Sequence, residues 1–475
     1  MELFTKSEHF KPEYACEVVR IGQVAPISGS DFLGVVEIHP GMPIVVRKDL
    51  VREGDVMFYV DTECQLNKDF LRINNQFEDS SMNADPNQTG YINKYGRVRM
   101  MRLRGQESMG YLFSEESMNN YLYINKLPMF GTRNPLDLHV GEVFDTINNE
   151  CFVKAYVPPA TKRKGAKRKG GTTQKSNQRN KKLKRFYRII PNTFSFHYDT
   201  GQLEKNIHRF EPDDVVDISV KLHGTSAVFA HIPVRRQLTF FEKVKKFFGF
   251  KVQLTEYDHI YSSHSVIKNQ YINRNVTPGY YKVDVWRYWN ALIKEYIPKD
   301  TTIYGEIVGF TPIGSCIQKD YDYGCTPGMS KLMIYRINTT TDDGKSYEWN
   351  VGEVKQWTEN LINVIKKDGD EELANRIHPI DVLWHGTLHQ LFPDIPVDQD
   401  WGSAVVHALA NKKDWHMEES EPLCNNKVPR EGIVIRKYND PLKEAFKLKT
   451  IQFKRRERRL VDEGYVDTEM AESEY

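Results

Sequence analysis

Lys221 closes the run Val-Val-Asp-Ile-Ser-Val-Lys (215–221) and is followed by Leu-His-Gly-Thr-Ser (222–226). At period two, Val216, Ile218 and Val220 fall on one face, and Asp217, Ser219 and Lys221 on the other. This is the pattern of a buried strand that delivers a lysine to a turn made by Gly224 and the hydroxyls of Thr225 and Ser226. A lysine amine becomes a nucleophile for phosphorus once it loses its proton, which neighbouring cations and partial desolvation favour. Three more segments supply suitable company. Glu306 interrupts the apolar run Tyr-Gly-Glu-Ile-Val-Gly (304–309), where a carboxylate needs ribose hydroxyls, a metal or a structural ion pair. Glu431 precedes Gly432 and the run Ile433-Val434-Ile435, at a strand start suited to holding metal-bound water. In Ala-Phe-Lys-Leu-Lys-Thr (445–450), Phe446 and Leu448 face one way, Lys447 and Lys449 the other. Two adjacent ammonium groups repel unless an anion lies between them, and a triphosphate or pyrophosphate fits.

The elements that position these residues lie in a long second region, 189–475, where strand-like runs alternate with helical ones such as 351–369 and 400–413. The first region reads differently. Segments 14–22, 32–40, 41–48, 54–63 and 96–105 are β-branched or aromatic runs punctuated by Gly, Pro, Asp and Asn. The expected fold class is α+β: a small N-terminal β-barrel, with an OB-like β-barrel as one candidate among several, then a larger domain of antiparallel sheets flanked by helices. Expected boundaries are 1–158 for the β-rich module, 159–188 for a linker, 189–455 for the larger domain and 456–475 for a fraying tail. Between Val153 and Tyr198 there is no acidic residue, and 161–188 is dominated by Lys, Arg, Gly, Gln and Asn. Such a stretch buries too little apolar surface to fold alone, and its charge suits phosphates. Arg97, Arg99, Arg102 and Arg104 crowd one run; strict alternation splits them into opposed pairs unless a bulge near Met100-Met101 unites them.

Other chemistries are disfavoured. The six cysteines form no C-x-x-C and no paired Cys/His spacing, so neither structural zinc nor a disulfide framework is expected. The N-terminus lacks an apolar signal core, and no apolar run reaches the roughly 18 residues of a membrane span. No membrane partner is expected. A reducing, intracellular setting follows: cytoplasm, or nucleus in a eukaryotic host. A monomer is the default.

The order K-x-x-G (221–224), Y-G-E-x-x-G (304–309), E-G-I-V-I-R (431–436) and K-x-K (447–449) resembles the motif ladder of the covalent nucleotidyltransferase superfamily, the polynucleotide ligases and mRNA capping enzymes. Lys-Leu-His-Gly-Thr-Ser (221–226) is similar to the RNA ligase version; DNA ligases carry Asp and Arg at the places of His223 and Ser226. Segments 194–207, 52–66 and 99–115 resemble the fifth RNA ligase family, of Deinococcus and Naegleria type, in which an OB domain precedes the catalytic one. The resemblance leaves out the basic linker, the insertion around 233–256 and the tail. Only 26 residues (475 − 449) follow Lys449, too few for the C-terminal OB domain of DNA ligases and capping enzymes, so the module in front is expected to serve instead.

The resemblance implies an ATP-dependent RNA ligase, using ATP with Mg²⁺ or Mn²⁺, that seals RNA ends in RNA repair. Lys221 would take up AMP from ATP, pass it to a 5′-phosphate end, and a 3′-hydroxyl would displace it. The expected substrate is a nicked duplex with RNA on the 3′-hydroxyl side. Lys447 and Lys449 would neutralise the α-phosphate, Glu431 would hold the metal through water, and Glu306 the ribose. Val220, Leu222 and Gly224 would frame the nucleotide. Tyr335, in Lys-Leu-Met-Ile-Tyr-Arg-Ile (331–337), would stack on adenine, with Met333 as its rival. Relatives carry a small-Ser-Arg triplet between the first two motifs; here His264 stands at that point, and His264, Lys268 or Arg236 is expected to replace the arginine. Val220 stands where many relatives have an acidic or hydroxyl residue, leaving purine reading to the backbone. RNA is expected on Arg97, Arg99, Arg102 and Arg104 and on the linker's Lys162, Arg163 and Lys164. The rivals are a GTP-using capping enzyme, a non-catalytic RNA-binding protein on a ligase scaffold, and a DNA ligase, which 221–226 disfavours.

Overall fold

The computed structural model describes residues 3–131, 138–157, 188–190, 193–196, 199–264, 266–268, 281–341, 345–438, 440 and 444–465. Lys162, Arg163 and Lys164 lie outside them, with nearly all of the expected linker.

The first region contains β1 (Cys16–Arg20), β2 (Leu33–His39), β3 (Met42–Arg47), β4 (Val56–Val60), β5 (Met101–Leu103), β6 (Gln106–Ser108), β7 (Tyr111–Phe113) and β8 (Val143–Phe144). A central sheet has the order β7-β4-β1-β8. Val18, Phe58 and Val60 pack on one of its faces with Phe70, Phe113 and Phe152. Val19, Met57 and Tyr59 pack on the other with Val36 and Ile44 of the β2–β3 hairpin. Burial on both faces is why 54–63 reads as an almost unbroken apolar run. The expected barrel is not what forms. Among the described residues no sheet closes on itself: the β2–β3 hairpin belongs to a separate three-stranded sheet, and β5 and β6 make a two-stranded one. Closure needs a continuous, staggered ladder, which these short strands in separate sheets do not supply.

The second region runs through β9 (Gly201–Gln202), β10 (Val215–Lys221), β11 (Thr225–Arg235), α1 (Phe240–Phe247), β12 (Thr255–Ser262), β13 (Thr301–Gly309) and β14 (Ser330–Thr340). It continues with β15 (Ser346–Glu348), α2 (Val351–Lys367), β16 (Ile377–Pro379), β17 (Val382–Thr387) and α3 (Trp401–Ala410). It ends in β18 (Gly432–Lys437), β19 (Phe446–Lys449) and α4 (Ile451–Asp462). One sheet has the order β9-β19-β18-β10-β17, the other β12-β11-β13-β14-β15, with β16 added beside β14. Val216, Ile218, Ile433, Ile435 and Leu448 back the first sheet against Val405, Val406 and Leu409 of α3. Ile303, Ile307 and Ile334 back the second against Val354, Leu361 and Ile365 of α2. The start of α2 is fixed by a reciprocal pair, the Asn350 side chain with the Glu353 amide and the Glu353 carboxylate with the Asn350 amide. The expected fraying from 456 is corrected as well. Thr450 caps α4, accepting from the Phe453 amide at 3.1 Å, and the helix holds through Asp462.

The arginine run is not one basic face. Arg97 is 2% exposed, donates to Glu63 at 3.0 and 2.7 Å and to Asp462 at 2.7 Å, and lies 5.0 Å from the Tyr156 ring. It joins the two regions and is closed to RNA. Arg99 pairs with Glu78, while Arg102 and Arg104 are exposed. The strand expected over 96–105 is reduced to β5, which ends where Arg104 (φ 50°) and Gly105 (φ 85°) take the left-handed pair of a tight hairpin. Lys205 adds a second bridge between the regions, to Asp61 at 3.1 Å. Truncating a buried, doubly paired arginine leaves two carboxylates uncompensated. Arg97→Met is therefore expected to lower stability by about 3 kcal/mol, read as a drop in the urea midpoint. An unchanged midpoint would show that Arg97 does not hold the regions together.

Candidate functional site

A cavity of about 950 Å³ is lined by both sheets of the second region, by Lys11, Glu13, Tyr14 and Glu63 of the first, and by Glu457 and Arg458 of α4. Its floor is the row where β10, β18 and β19 meet. Lys221 pairs across to Gly432, and Gly432 to Lys449. Gly432 has to be glycine, since a Cβ there would stand 2.0 Å from the Leu448 carbonyl oxygen. The tight row places Glu431 between two ammonium groups. Its Oε1 lies 2.9 Å from Lys221 Nζ and 3.8 Å from Lys449 Nζ. Burial works against the charged form of Lys221, but the nearby Glu431 and Glu306 carboxylates outweigh it and hold the lysine above its ordinary value.

The paired lysines face the cavity, as their alternation predicted, but they are not equivalent. Lys449 is held by Glu457 of α4 at 2.9 and 3.2 Å. Lys447 makes no ion pair among the described residues. Burial, then Lys449 and Lys221, push its value down.

Glu306 sits on β13 opposite Ser226. Its carboxylate accepts from the Gly224 amide at 3.0 Å and the Ser226 hydroxyl at 3.3 Å. The turn after Lys221 is thus pinned by the carboxylate that the sequence assigned to a ribose. Gly224 is required by close approach, because a Cβ would meet the Ile307 carbonyl at 2.4 Å. Val220 and Leu222 are buried beside it and line the same cavity. Tyr335 lines the cavity, whereas Met333 is packed in the core beneath. A bulge lies at this point: Tyr304 pairs with Arg336 and Gly305 with Ile334, leaving Tyr335 as the extra residue and putting Arg336 on the face of Glu306.

Of the three substitutes for the missing arginine, His264 alone lines the cavity, with Nε2 3.1 Å from Asp199. Arg236 instead pairs with Glu242 beside α1, and Lys268 lies 3.5 Å over the Trp286 ring. Sequence reasoning missed Glu457 and Arg458, which belonged to the supposed tail, and the cavity arginines Arg336 and Arg436. The local signal for α4 was Thr450 as a helix cap. Nothing local marked Arg336, which lies in the cavity wall because of the same bulge.

His223 lies edge-on to Tyr321 and Phe453, each at 4.9 Å, with Nδ1 3.9 Å from Glu431. Burial drives its value down from 6.5 to about 4, against the pull of Glu431. The imidazole is neutral at pH 7, leaving the Glu431 charge to the lysines. Protonation is penalised only in the folded state. The stability that neutral His223 contributes is complete above about 6.5 and is lost as pH falls toward 4. Melting curves from pH 7.5 to 4.5 are expected to show wild type losing roughly 2–3 kcal/mol more than His223→Phe. Parallel curves would remove this assignment.

No protein-family model matches the chain, and no curated protein matches it. Among solved structures, Naegleria gruberi RNA ligase matches over nearly the whole length. A lysine-to-alanine mutant with ATP and Mn is 14% identical, covers 93% of this chain and 98% of that one, and has a TM-score of 0.53. An apo aspartate-to-alanine mutant is 15% identical over 94% and 98%, with a TM-score of 0.53. The ligase with pyrophosphate is 14% identical over 94% and 98%, with a TM-score of 0.51. Identity this low speaks for architecture alone, and on that level the chain has the fold of the Naegleria gruberi RNA ligase.

Proposed function

We propose that this chain is an ATP-dependent RNA ligase working through a lysyl-AMP intermediate on Lys221. The observation that carries the reading is the cavity floor, where Lys221, Lys447 and Lys449 converge around Glu431. In the first step the Lys221 Nζ lone pair forms a bond to the α-phosphorus of ATP. The bond from that phosphorus to the bridging oxygen breaks, and its electron pair leaves with pyrophosphate. Nζ must first release a proton to solvent, and its 2.9 Å contact with Glu431 holds that proton in place. The contact therefore has to loosen as the nucleotide binds. Lys447 neutralises the developing charge on the α-phosphate, and Lys449, already held by Glu457, supports it at longer range. AMP then passes to a 5′-phosphate, and a 3′-hydroxyl attacks that phosphate and releases AMP.

A divalent cation fits Glu431. Its Oε2 is buried with no hydrogen-bond partner, and no group of three or more potential ligands forms among the described residues. A single carboxylate suits Mg²⁺ or Mn²⁺ that keeps most of its water. Such an ion would supply phosphate charge neutralisation and would compete with the Lys221 ammonium for Glu431. Naegleria gruberi RNA ligase has been solved with ATP and Mn and with pyrophosphate, which supports giving this cavity the same ligands.

Glu306 would reach the ribose while holding the turn, Tyr335 would stack on adenine, and His264 would take the place of the missing arginine. The first region, 1–158, would hold RNA in the role of an OB-like module, here with open sheets. Exposed Arg102 and Arg104 would take part, with Lys162, Arg163 and Lys164 of the basic linker, 159–188. The nucleotidyltransferase domain would run from 189 through α4. A nicked duplex with RNA on the 3′-hydroxyl side is the proposed substrate, read by A-form shape.

The test is labelling with α-³²P-ATP or α-³²P-GTP in Mg²⁺. Acid-labile AMP on the wild-type chain is expected, none on Lys221→Ala, and roughly 10²-fold less on Lys447→Ala. Label from GTP alone would make the chain a capping-type enzyme. Equal binding of nicked RNA by wild type and Lys221→Ala, with neither labelled, would leave an RNA-binding protein. Equal sealing of nicks with RNA or DNA at the 3′-hydroxyl would remove the RNA preference.

A further inference from the structure

The connection between β11 and β12 carries a helix turned inside out. In α1 and the residues after it, Phe240, Phe241, Phe247, Phe248 and Phe250 are 75%, 78%, 84%, 69% and 66% exposed. At 100° per residue, Phe240, Phe241, Val244, Phe247 and Phe248 fall within about 120° of arc, and Lys243 and Lys245 flank its edges. Glu242, on the opposite side, is the half-buried residue: it pairs with Arg236 and closes a capping box with Thr239. The polar side is tied to Arg236 and Thr239 at the start of the connection, and the aromatic side faces outward. An ordinary surface helix does the reverse.

Charge and ring geometry select what covers this face. Segment 240–251 holds Lys243, Lys245, Lys246 and Lys251 against Glu242, a net +3 (4 − 1). Arg188, at the end of the basic stretch, is fixed at the root of the same hairpin. Its carbonyl accepts from the Arg235 amide, its guanidinium pairs with Asp258 at 2.5 Å, and Ile189 bridges to Val234. The root of the α1 connection is thereby held in place. The neighbouring rings meet edge to face, Phe240 with Phe241 at 76° and Phe247 with Phe248 at 83°. That makes a continuous apolar ridge, not a set of open ring faces for stacked bases. A second copy of the chain would bring the same lysines together.

We propose that α1 is an interfacial anchor whose phenylalanine ridge enters the headgroup layer of an anionic lipid surface, with Lys243, Lys245, Lys246 and Lys251 meeting the lipid charges. An apolar ridge flanked by lysines combines buried apolar area with attraction to anionic lipid. No helix among the described residues is long and apolar enough to cross a membrane, so the chain would lie on the surface. The anchor is at the far end of β11 from the turn that follows Lys221. Eleven residues at about 3.3 Å each put it roughly 30 Å away, leaving the cavity open.

The experiment is flotation of the full chain with vesicles of phosphatidylcholine alone or with one third phosphatidylglycerol. Wild type is expected to float with the anionic vesicles and not the neutral ones. Phe241→Ser with Phe247→Ser is expected to lower the bound fraction at least roughly tenfold, and Lys243→Glu with Lys245→Glu to lower it at low salt. Both substitutions are on exposed sites, and thermal melting confirms that each variant is folded. Absence of wild-type flotation overturns the proposal. So does undiminished flotation of the double-serine variant, which would assign binding to the basic stretch alone. Self-association in light scattering, or nicked-RNA binding, that disappears in the same variant overturns it in favour of a second copy or of RNA.

Discussion

The Glu431 carboxylate, within a residue that is 4% exposed, is the anion around which the cavity floor is assembled. Lys221, Lys447 and Lys449 project from two strands that sandwich β18, and desolvated ammonium groups so close would drive those strands apart without a counterion. Register supplies the counterion. Lys221, Gly432 and Lys449 stand in one row, and Glu431 immediately precedes the middle member. A one-residue slip of β18 would turn its apolar set, Ile433 and Ile435, away from α3 and carry the carboxylate out of the row. The core behind the sheet and the charge balance in front of it thus depend on the same pairing.

Helix α4 extends that balance to the first region. Glu457 takes up Lys449, and five residues on, Asp462 takes up Arg97. One helix therefore holds a cavity lysine and the deepest cation between the regions. Lys449 is neutralised from within the protein, which leaves Lys447 as the member of the pair without an ion pair among the described residues. Two lysines alike in sequence have acquired different chemical capacities through one carboxylate eight residues after the second.

Alternation was enough to read β10, β13, β18 and β19 and to aim Lys221, Lys447 and Lys449 at a common face, because strand direction is a local property. What the sequence could not reveal depended on distant partners. Arg97 looked like its neighbours, but its burial is made by Glu63 and by Asp462, 365 residues away. Glu306 was recognisable as a carboxylate needing partners, not as the one that holds the Gly224 turn. The short strands of the first region were visible, but whether they close into a barrel is decided by long-range pairing. The bulge that brings Arg336 onto the cavity face also comes from register across β13 and β14, and the residues themselves carry no mark of it. The pattern of α1 was open to inspection too, but which side faced solvent was set by Arg236 and Glu242.

β11 connects the chemistry to this helix. Its first residues form the turn beneath Lys221 and its last leads toward α1, with β13 paired along Thr225–His231 and β12 along Val228–Arg235. A strand paired along its length transmits position without slipping, since a shift at the helix would have to break the ladder that keeps Ser226 opposite Glu306. Anchoring α1 would therefore leave the distances around Lys221 unchanged. It would instead fix which way the cavity faces, with Lys221 at the end of β11 remote from the lipid. A polyanionic RNA would then meet the cavity on the side away from the anionic surface, where the electrostatic repulsion between them is screened over about 10 Å in 0.1 M salt.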